Sequence, residues 1–156
     1  MKQRNKCRPS VKLQIFSSLH YIAAFFYSGL FVYLVFFARR RKDIKDRYVT
    51  VVPFKSTINN YLEIGNNEHH ELFNYYTNLI GNIVLFVPLP YFLFLLAGVK
   101  SFRKVFLISS IISLSVEVLQ FVLKKGVADI DDILLNLLGT TIGFFLASFY
   151  SRNRNH

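Results

Sequence analysis

The sequence has a single cysteine, no tryptophan and only four prolines in 156 residues. One cysteine cannot form an intrachain disulfide, so a disulfide-stabilised secreted scaffold is excluded. Cys7 also precedes the first long apolar segment, whereas the lipid-modified cysteine of a lipoprotein follows such a segment. The chain therefore needs a source of stability other than covalent cross-links.

Acidic residues are scarce. Nine Asp and Glu stand against 19 Lys and Arg, which gives a formal net charge of +10. The basic residues flank apolar segments, where they contact anionic lipid headgroups and set the orientation of the chain. The charge therefore predicts membrane lipids as partners and no nucleic acid.

Formal charge is almost absent from four long apolar stretches, which are residues 13–38, 79–99, 105–123 and 133–150. Each is long enough to cross a bilayer as a helix. A soluble domain of this size would expose far more apolar surface than soluble monomers do, so a soluble enzyme and a disordered chain are excluded. The predicted fold class is all-α, a polytopic membrane helical bundle with about four transmembrane helices.

The first stretch begins like a signal peptide, with five basic residues and no acidic one in residues 1–12. However, a basic cluster from Arg39 to Lys42 follows it, at the place where small residues would mark a cleavage site. We expect an uncleaved first transmembrane helix and a basic N-terminus in residues 1–38. A polar connecting loop (39–78), a three-helix membrane core (79–150) and a polar tail (151–156) follow.

Two local features refine this division. Pro88 and Pro90 are expected to kink or break the second span. Apolar patches in the loop, at residues 51–54 and 58–64, indicate that part of it lies on the membrane surface or packs on the bundle.

The distribution of basic residues gives no clear orientation of the chain in the membrane. With a cytoplasmic N-terminus, ten basic residues lie on the cytoplasmic side and nine on the outer side. Two short basic segments, residues 100–104 and 151–156, would then be cytoplasmic and favour this orientation. The basic cluster from Arg39 to Lys42 favours the opposite one.

Polar side chains interrupt the spans in an ordered way. Ser109, Ser113, Glu117 and Gln120 fall within an arc of about 80° on the third helix. Asp129, Asp132, Asn136, Gly139, Thr140 and Gly143 share about 100° of the fourth, from which Asp131 points away. Asn78 and Asn82 lie one turn apart on the second helix. We expect carboxylates and amides from three helices to converge at one end of the bundle.

Each of these residues has a structural interpretation beside the functional one. Asp129 followed by Asp132 is typical of a helix N-terminus, where the first side chain caps free N–H groups. Gly139 and Gly143 form a helix packing motif, and the Asn and Ser side chains are candidates for hydrogen bonds between helices. Glu117 differs, because a carboxylate within a membrane costs about 2.5 to 3.5 kcal/mol and is a functional candidate by default.

No catalytic set and no cofactor are predicted. The run His69, His70 and Glu71 is not expected to bind a metal, because adjacent His residues project in different directions on a helix and no further ligand is suitably spaced. Phosphate-binding loops, nucleophile elbows and zinc-protease motifs do not occur in the sequence.

Four segments together resemble the VanZ-like family. They are VPF (52–54), NLIGNIVLFVP (78–88), SLSVEVLQ (113–120) and DIDDILLNLLG (129–139), and they stand in the family's order. The motifs cover about residues 50–145, which leaves the first span and the charged tails outside. Many members carry Arg three residues before the first Asp of the acidic motif. Gly126 stands there in this chain, and Lys124 or Lys125 is the candidate substitute.

The resemblance implies a small multi-pass protein of the bacterial cytoplasmic membrane. The family's namesake is an accessory determinant of resistance to glycopeptide antibiotics, teicoplanin in particular. We expect a non-enzymatic contribution to such resistance or to protection of the cell envelope, through interaction with a lipoglycopeptide or a lipid-linked wall precursor. The predicted ligand-binding or functional polar cluster comprises Asn78, Asn82, Ser113, Glu117, Gln120, Asp129, Asp132 and Asn136.

Three alternatives stay open at the level of the sequence. A membrane enzyme acting on a lipid-linked substrate would use Glu117 or Asp132 as general base, although no nucleophile or metal set completes such a site. A proton-coupled carrier would use Glu117 and would require a homo-oligomer to build its pathway. A structural partner of another envelope protein needs only the packing motifs.

Overall fold

The computed structural model describes residues 11–38, 49–50, 52–63, 69–123 and 128–153. These parts of the chain form α-helices, one π-helical segment and two very short strands. In chain order the elements are α1 (Val11–Tyr33), its π-helical continuation (Leu34–Ala38), β1 (Val49–Thr50), α2 (Lys55–Glu63), α3 (His69–Phe86), α4 (Leu89–Leu96), α5 (Phe102–Val122), β2 (Ala128–Asp129) and α6 (Ile130–Asn153).

Four segments are long and apolar enough to cross a membrane. They are Ser18–Phe37, Tyr75–Leu96, Phe102–Val122 and Ile130–Asn153. At most 33% of the residues in any of these segments are buried, so most of their apolar side chains face outward. This arrangement suits a hydrocarbon solvent. The predicted all-α bundle with about four transmembrane helices is confirmed.

The interior is unusually polar for a protein of this composition. Among the described residues, nine polar or charged side chains are buried, against seven apolar ones. Large apolar side chains such as Phe25 and Phe145 lie on the outside. Because buried polar groups are costly without partners, hydrogen bonds between helices must organise this interior.

Helix α6 occupies the centre of the bundle and packs against α3, α4 and α5. Its buried residues recur every three or four positions, as expected for one face of a helix. They are Asp131, Asp132, Asn136, Gly139, Thr140, Gly143 and Ala147. Five of them, from Asp132 to Gly143, belong to the polar and glycine face that the sequence predicts, whereas Asp131 lies off that face and Asp129 precedes the helix.

Gly139 and Gly143 form the contact between α6 and α3. A Cβ atom on Gly139 would collide with the carbonyl group of Ile83, and one on Gly143 would collide with that of Val87. Moving four residues along α6, from Gly139 to Gly143, moves the contact four residues along α3, from Ile83 to Val87. The two helices therefore run parallel. The two glycines therefore allow the backbones to touch, as small residues do between membrane helices.

The second span is divided at its prolines. Helix α3 ends at Phe86, and α4 begins at Leu89 with Pro88 at its N-cap and Pro90 in its first turn. Since proline lacks an N–H group and its ring clashes with the preceding turn, a continuous helix cannot pass through this pair. The predicted break is therefore present.

The first span packs on the bundle through aromatic residues. Tyr27 donates a hydrogen bond from its hydroxyl to the carbonyl oxygen of Leu85 at 2.8 Å. The rings of Phe31 and Phe86 meet edge to face with centroids 5.4 Å apart. Val35, in the π-helical segment, is buried in the same apolar cluster. Helix α1 is thus attached to the break region of the second span.

The described residues between the first two spans pack against the bundle. Strand β1 pairs in parallel with β2, with Val49 opposite Ala128. Helix α2 follows, and α3 begins at His69, inside the segment predicted as a polar loop. Phe54 and Leu62 are exposed. The segment therefore packs on the bundle, which is one of the two alternatives expected from its sequence, and it also exposes apolar side chains.

Candidate functional site

Carboxylates gather where α5 ends and α6 begins, and we call this the acidic end of the bundle. Its members are Glu117, Asp129, Asp131 and Asp132. Asp129 is the N-cap of α6, because its Oδ1 accepts a hydrogen bond from the N–H of Asp131 at 3.0 Å. The N–H of Asp129 donates to Oε2 of Glu117 at 3.2 Å. The capping interpretation of Asp129 is therefore confirmed.

Glu117 lies close to this end. It is the sixteenth of the 21 residues of α5, and only 2% of it is exposed. Its hydrogen bond from the N–H of Asp129 connects the last turns of α5 to β2 and the start of α6. A buried carboxylate thus helps to hold β2 against the end of α5.

Asp132 joins α6 to α3. Its Oδ1 accepts a hydrogen bond from Nδ2 of Asn82 at 2.6 Å, and Nδ2 of Asn78 lies 3.5 Å from the same oxygen. Asn82 and Asp132 are both almost fully buried. The two asparagines one turn apart on α3 therefore face the acidic motif, which is the convergence expected from the sequence.

Asp131 plays a part that the sequence analysis missed. The helical wheel correctly turns it away from Asp132, but the side chain is buried against the start of α2 and the residue before it. Its Oδ1 accepts from the N–H of Phe54 at 2.6 Å, and its Oδ2 accepts from the N–H and hydroxyl of Thr57 at 3.1 and 2.7 Å. The signal available in the sequence was the VPF motif, which precedes Thr57.

The segment held by Asp131 has an unusual backbone. Phe54 has a φ of 63°, in the left-handed region that bulky residues rarely adopt. Such a conformation costs on the order of 1 to 3 kcal/mol and persists only where its surroundings impose it. The hydrogen bond from the N–H of Phe54 to Asp131 is one of the contacts that impose it here. The Pro-Phe motif and the acidic motif are thus two halves of one local structure.

A second polar layer lies one turn deeper between α5 and α6. Nδ2 of Asn136 donates to Oγ of Ser113 at 2.9 Å. Because these helices are antiparallel, Ser109 and Thr140 both lie one turn further in, and both are fully buried. Their hydroxyl oxygens and Oδ1 of Asn136 make no hydrogen bond within the described residues. Hydrogen-bonding capacity therefore continues from the acidic end into the bundle.

Gln120 connects the site to the first span. Its Nε2 donates to the carbonyl oxygen of Val35 at 2.9 Å, in the π-helical segment. A π-helix displaces carbonyl groups from the regular α-helical pattern and is common at functional sites. Three predicted site residues thus belong to the acidic end (Glu117, Asp129 and Asp132), and two more, Asn78 and Asn82, contact Asp132 there. Ser113 and Asn136 form the deeper layer, and Gln120 reaches across to the first span.

Protein stability can distinguish a buried hydroxyl group that has no hydrogen-bond partner from one that has a partner. Replacing Thr140 with valine removes a buried hydroxyl without a partner, so we expect the free energy of unfolding to rise by about 1 kcal/mol. Thr141 is the matched control, because its hydroxyl donates to the carbonyl oxygen of Leu137 at 2.8 Å. Thermal unfolding of the detergent-solubilised protein should show a gain only for Thr140→Val. A larger loss for Thr140→Val than for Thr141→Val would contradict this expectation.

The chemistry available at the site is acceptor-rich and negatively charged. Such a surface suits a cationic headgroup or one rich in hydrogen-bond donors. Within the described part of the chain, no group of three or more His, Cys, Asp or Glu is placed to hold a metal ion. Lys124, Lys125 and Gly126 lie outside the described residues, as do the side chains of His69, His70 and Glu71.

Comparison with known proteins gives one match. A family model described as VanZ/LLP1 matches residues 23–151. No curated protein and no solved structure matches the chain. The expectation that the first span lies outside the family region was wrong, since the match begins within α1. The contacts of Tyr27 with Leu85 and of Gln120 with Val35 join this span to the rest of the matched region.

Proposed function

The chain belongs to the VanZ/LLP1 family of membrane proteins, and on this premise we propose that it contributes to resistance against teicoplanin-type glycopeptides, or more generally to protection of the cell envelope. The proposed mode of action is non-enzymatic. The protein would bind either the lipid-bearing drug or a lipid-linked wall precursor at the acidic end of the bundle.

The observation that carries this proposal is the juxtaposition of the acidic end with a lipid-facing exterior. Teicoplanin-type drugs combine an acyl chain with a polar headgroup that contains hydrogen-bond donors. A ligand of this kind suits a protein whose carboxylates lie at the end of a helix bundle with apolar sides. Asp129, which is half-buried, would meet the headgroup. Asn78 is half-buried as well and lies beside Asp132. The buried members would form the polar floor, and they are Asn82, Ser113, Glu117, Gln120, Asp132 and Asn136.

A binding role also agrees with how the carboxylates are used. Asp132 accepts from Asn82, Asp131 from Phe54 and Thr57, and Glu117 from the backbone of Asp129. These bonds orient the carboxylates rigidly. Rigid orientation lowers the entropic cost of recognition.

The test is the inhibitory concentration of teicoplanin and vancomycin for a susceptible Gram-positive host that expresses the protein. We expect the wild type to raise the teicoplanin value several-fold and the vancomycin value little, because vancomycin lacks the acyl chain. Glu117→Gln and Asp132→Asn should each abolish the gain. Ser115→Ala is the control, since this hydroxyl faces outward and bonds only within its own helix.

All variants must be compared at equal abundance in the membrane. If the wild type changes neither inhibitory concentration, the resistance proposal fails for this chain. If Glu117→Gln and Asp132→Asn match the wild type, the carboxylates serve helix packing alone. Turnover of a labelled lipid-linked precursor by the purified protein would instead favour an enzyme.

We also propose that the N-terminus is cytoplasmic and that the acidic end faces outward. This orientation brings the acidic end to the drug and the wall precursors. Because Cys7 is the one cysteine of the sequence, it reports on the N-terminus directly. A membrane-impermeant maleimide should label Cys7 only after the cells are permeabilised. Asn59→Cys in a Cys7→Ser background should react in intact cells, since Asn59 is exposed on α2. If Cys7 is labelled in intact cells and Asn59→Cys is not, the N-terminus faces outward and the proposed orientation is wrong.

A further inference from the structure

The bundle has a cavity at the end opposite the carboxylates. It lies between α4, the turn that follows α4, and the last turns of α6, and its volume is about 240 Å³. The cavity is lined by Tyr91, Phe94, Leu95, Lys100, Ala147, Tyr150 and Ser151. Ala147 and Ser151 lie 15 and 19 residues beyond Asp132 in α6, so the cavity is about 22 to 29 Å from the acidic motif along the helix. It is therefore separate from the site described above.

The cavity walls are amphipathic. Phe94, Leu95 and Ala147 provide an apolar floor, while Lys100 supplies an ammonium group at the rim. Tyr91 and Tyr150 meet edge to face with ring centroids 6.1 Å apart, and both contribute to the lining. Tyrosine, with an apolar ring and a polar hydroxyl, is typical of the membrane interface. This composition suits a ligand with an anionic head and an apolar tail.

The electrostatic environment also favours an anion. Lys100, Arg103, Lys104 and Arg152 all lie at this end of the bundle, which we call the basic end. Among the residues whose side chains the structure describes, all four carboxylates lie at the acidic end. The cavity thus has a local excess of positive charge, and no described carboxylate faces it.

We propose that this cavity binds one anionic phospholipid. The phosphate contacts Lys100, the hydroxyls of the two tyrosines and of Ser151 surround the headgroup, and the first acyl carbons lie over Phe94 and Leu95. A phospholipid fits better than a soluble anion because the apolar floor would gain nothing from inorganic phosphate. Lys100 also lies four residues beyond the second span, at the depth where lipid headgroups are found. This inference does not depend on the resistance proposal.

Native mass spectrometry of the full chain in detergent tests the proposal. The protein is mixed with equal amounts of phosphatidylglycerol and phosphatidylcholine that carry identical acyl chains. We expect the first bound lipid to be phosphatidylglycerol. Lys100→Gln should weaken phosphatidylglycerol binding about five-fold, which is the contribution of one basic residue near an anionic lipid. Binding of phosphatidylcholine should not change.

Lys104→Gln is the matched control, because it removes the same charge at the same end but does not line the cavity. It should leave the first phosphatidylglycerol affinity within error of wild type. Ala147→Leu fills the floor without changing charge and should weaken that affinity as well. If Lys100→Gln and Lys104→Gln have equal effects, the lipid follows the general basic surface and the proposal is wrong. Full displacement by inorganic phosphate would indicate a site for soluble anions and would also overturn it.

Discussion

Gly139→Ala is expected to reduce the free energy of unfolding by about 3 kcal/mol or more, or to prevent accumulation of the protein in the membrane. A Cβ at this position would overlap the carbonyl group of Ile83. Backbone atoms cannot rotate away as a flexible side chain can, so α3 and α6 would have to separate. Asn82 precedes Ile83 and would move away from Asp132, so the acidic end would be altered together with stability.

Gly81→Ala is the matched control for this prediction. Gly81 lies in the same helix as Ile83, but a Cβ there would have no atom within 4 Å. The substitution should be neutral or slightly stabilising, because alanine is the better helix former. Unfolding measured by steric trapping in bilayers gives the comparison directly. Equal stability of Gly139→Ala and Gly81→Ala would show that the two helices do not touch through their backbones.

Asp131→Ala is expected to release the segment around Phe54 from the bundle. The substitution removes the acceptor of three hydrogen bonds, each to a charged group and each worth about 1.5 to 3 kcal/mol. Since the bonds share one acceptor, we expect a joint loss of about 3 kcal/mol rather than their sum. Amide hydrogen exchange at Phe54 and Thr57 should then accelerate by about two orders of magnitude. The left-handed backbone of Phe54 should relax at the same time.

Asp129→Ala controls for the removal of a neighbouring carboxylate. It deletes the cap of α6 but leaves in place the hydrogen bonds that Phe54 and Thr57 donate to Asp131. Exchange should therefore increase at the start of α6, while the segment around Phe54 keeps its protection. Slow exchange at Phe54 in Asp131→Ala would mean that contacts of β1 and α2 hold the segment without the carboxylate.

The four spans could be predicted because a bilayer imposes a simple rule on sequence. A helix that crosses hydrocarbon needs about 20 apolar residues, and this requirement can be read without knowing any neighbour. The break at Pro88 and Pro90 was also predictable, because proline acts on its own turn of helix. The cap at Asp129 is local in the same sense, since donor and acceptor lie two residues apart.

The connections between helices were less accessible to sequence reasoning. Periodicity placed Asp132 and Asn136 on the inner face of α6, and it placed Asn82 near the acidic end. Periodicity reports the face of a residue and not its partner. Periodicity did not indicate that Gln120 donates to Val35 in the first span, or that Glu117 accepts from the N–H of Asp129.

The sequence by itself determined the helical membrane bundle, its four spans, the division of the second span and the polar face of each inner helix. These properties depend on composition and on contacts within one helix. Tertiary structure alone decided that Asp131 holds the start of α2 and the residue before it, that the first span joins the site through Val35, and that a cavity forms at the basic end. Each of these features joins residues more than 40 positions apart, and their pairing is set by how the helices pack.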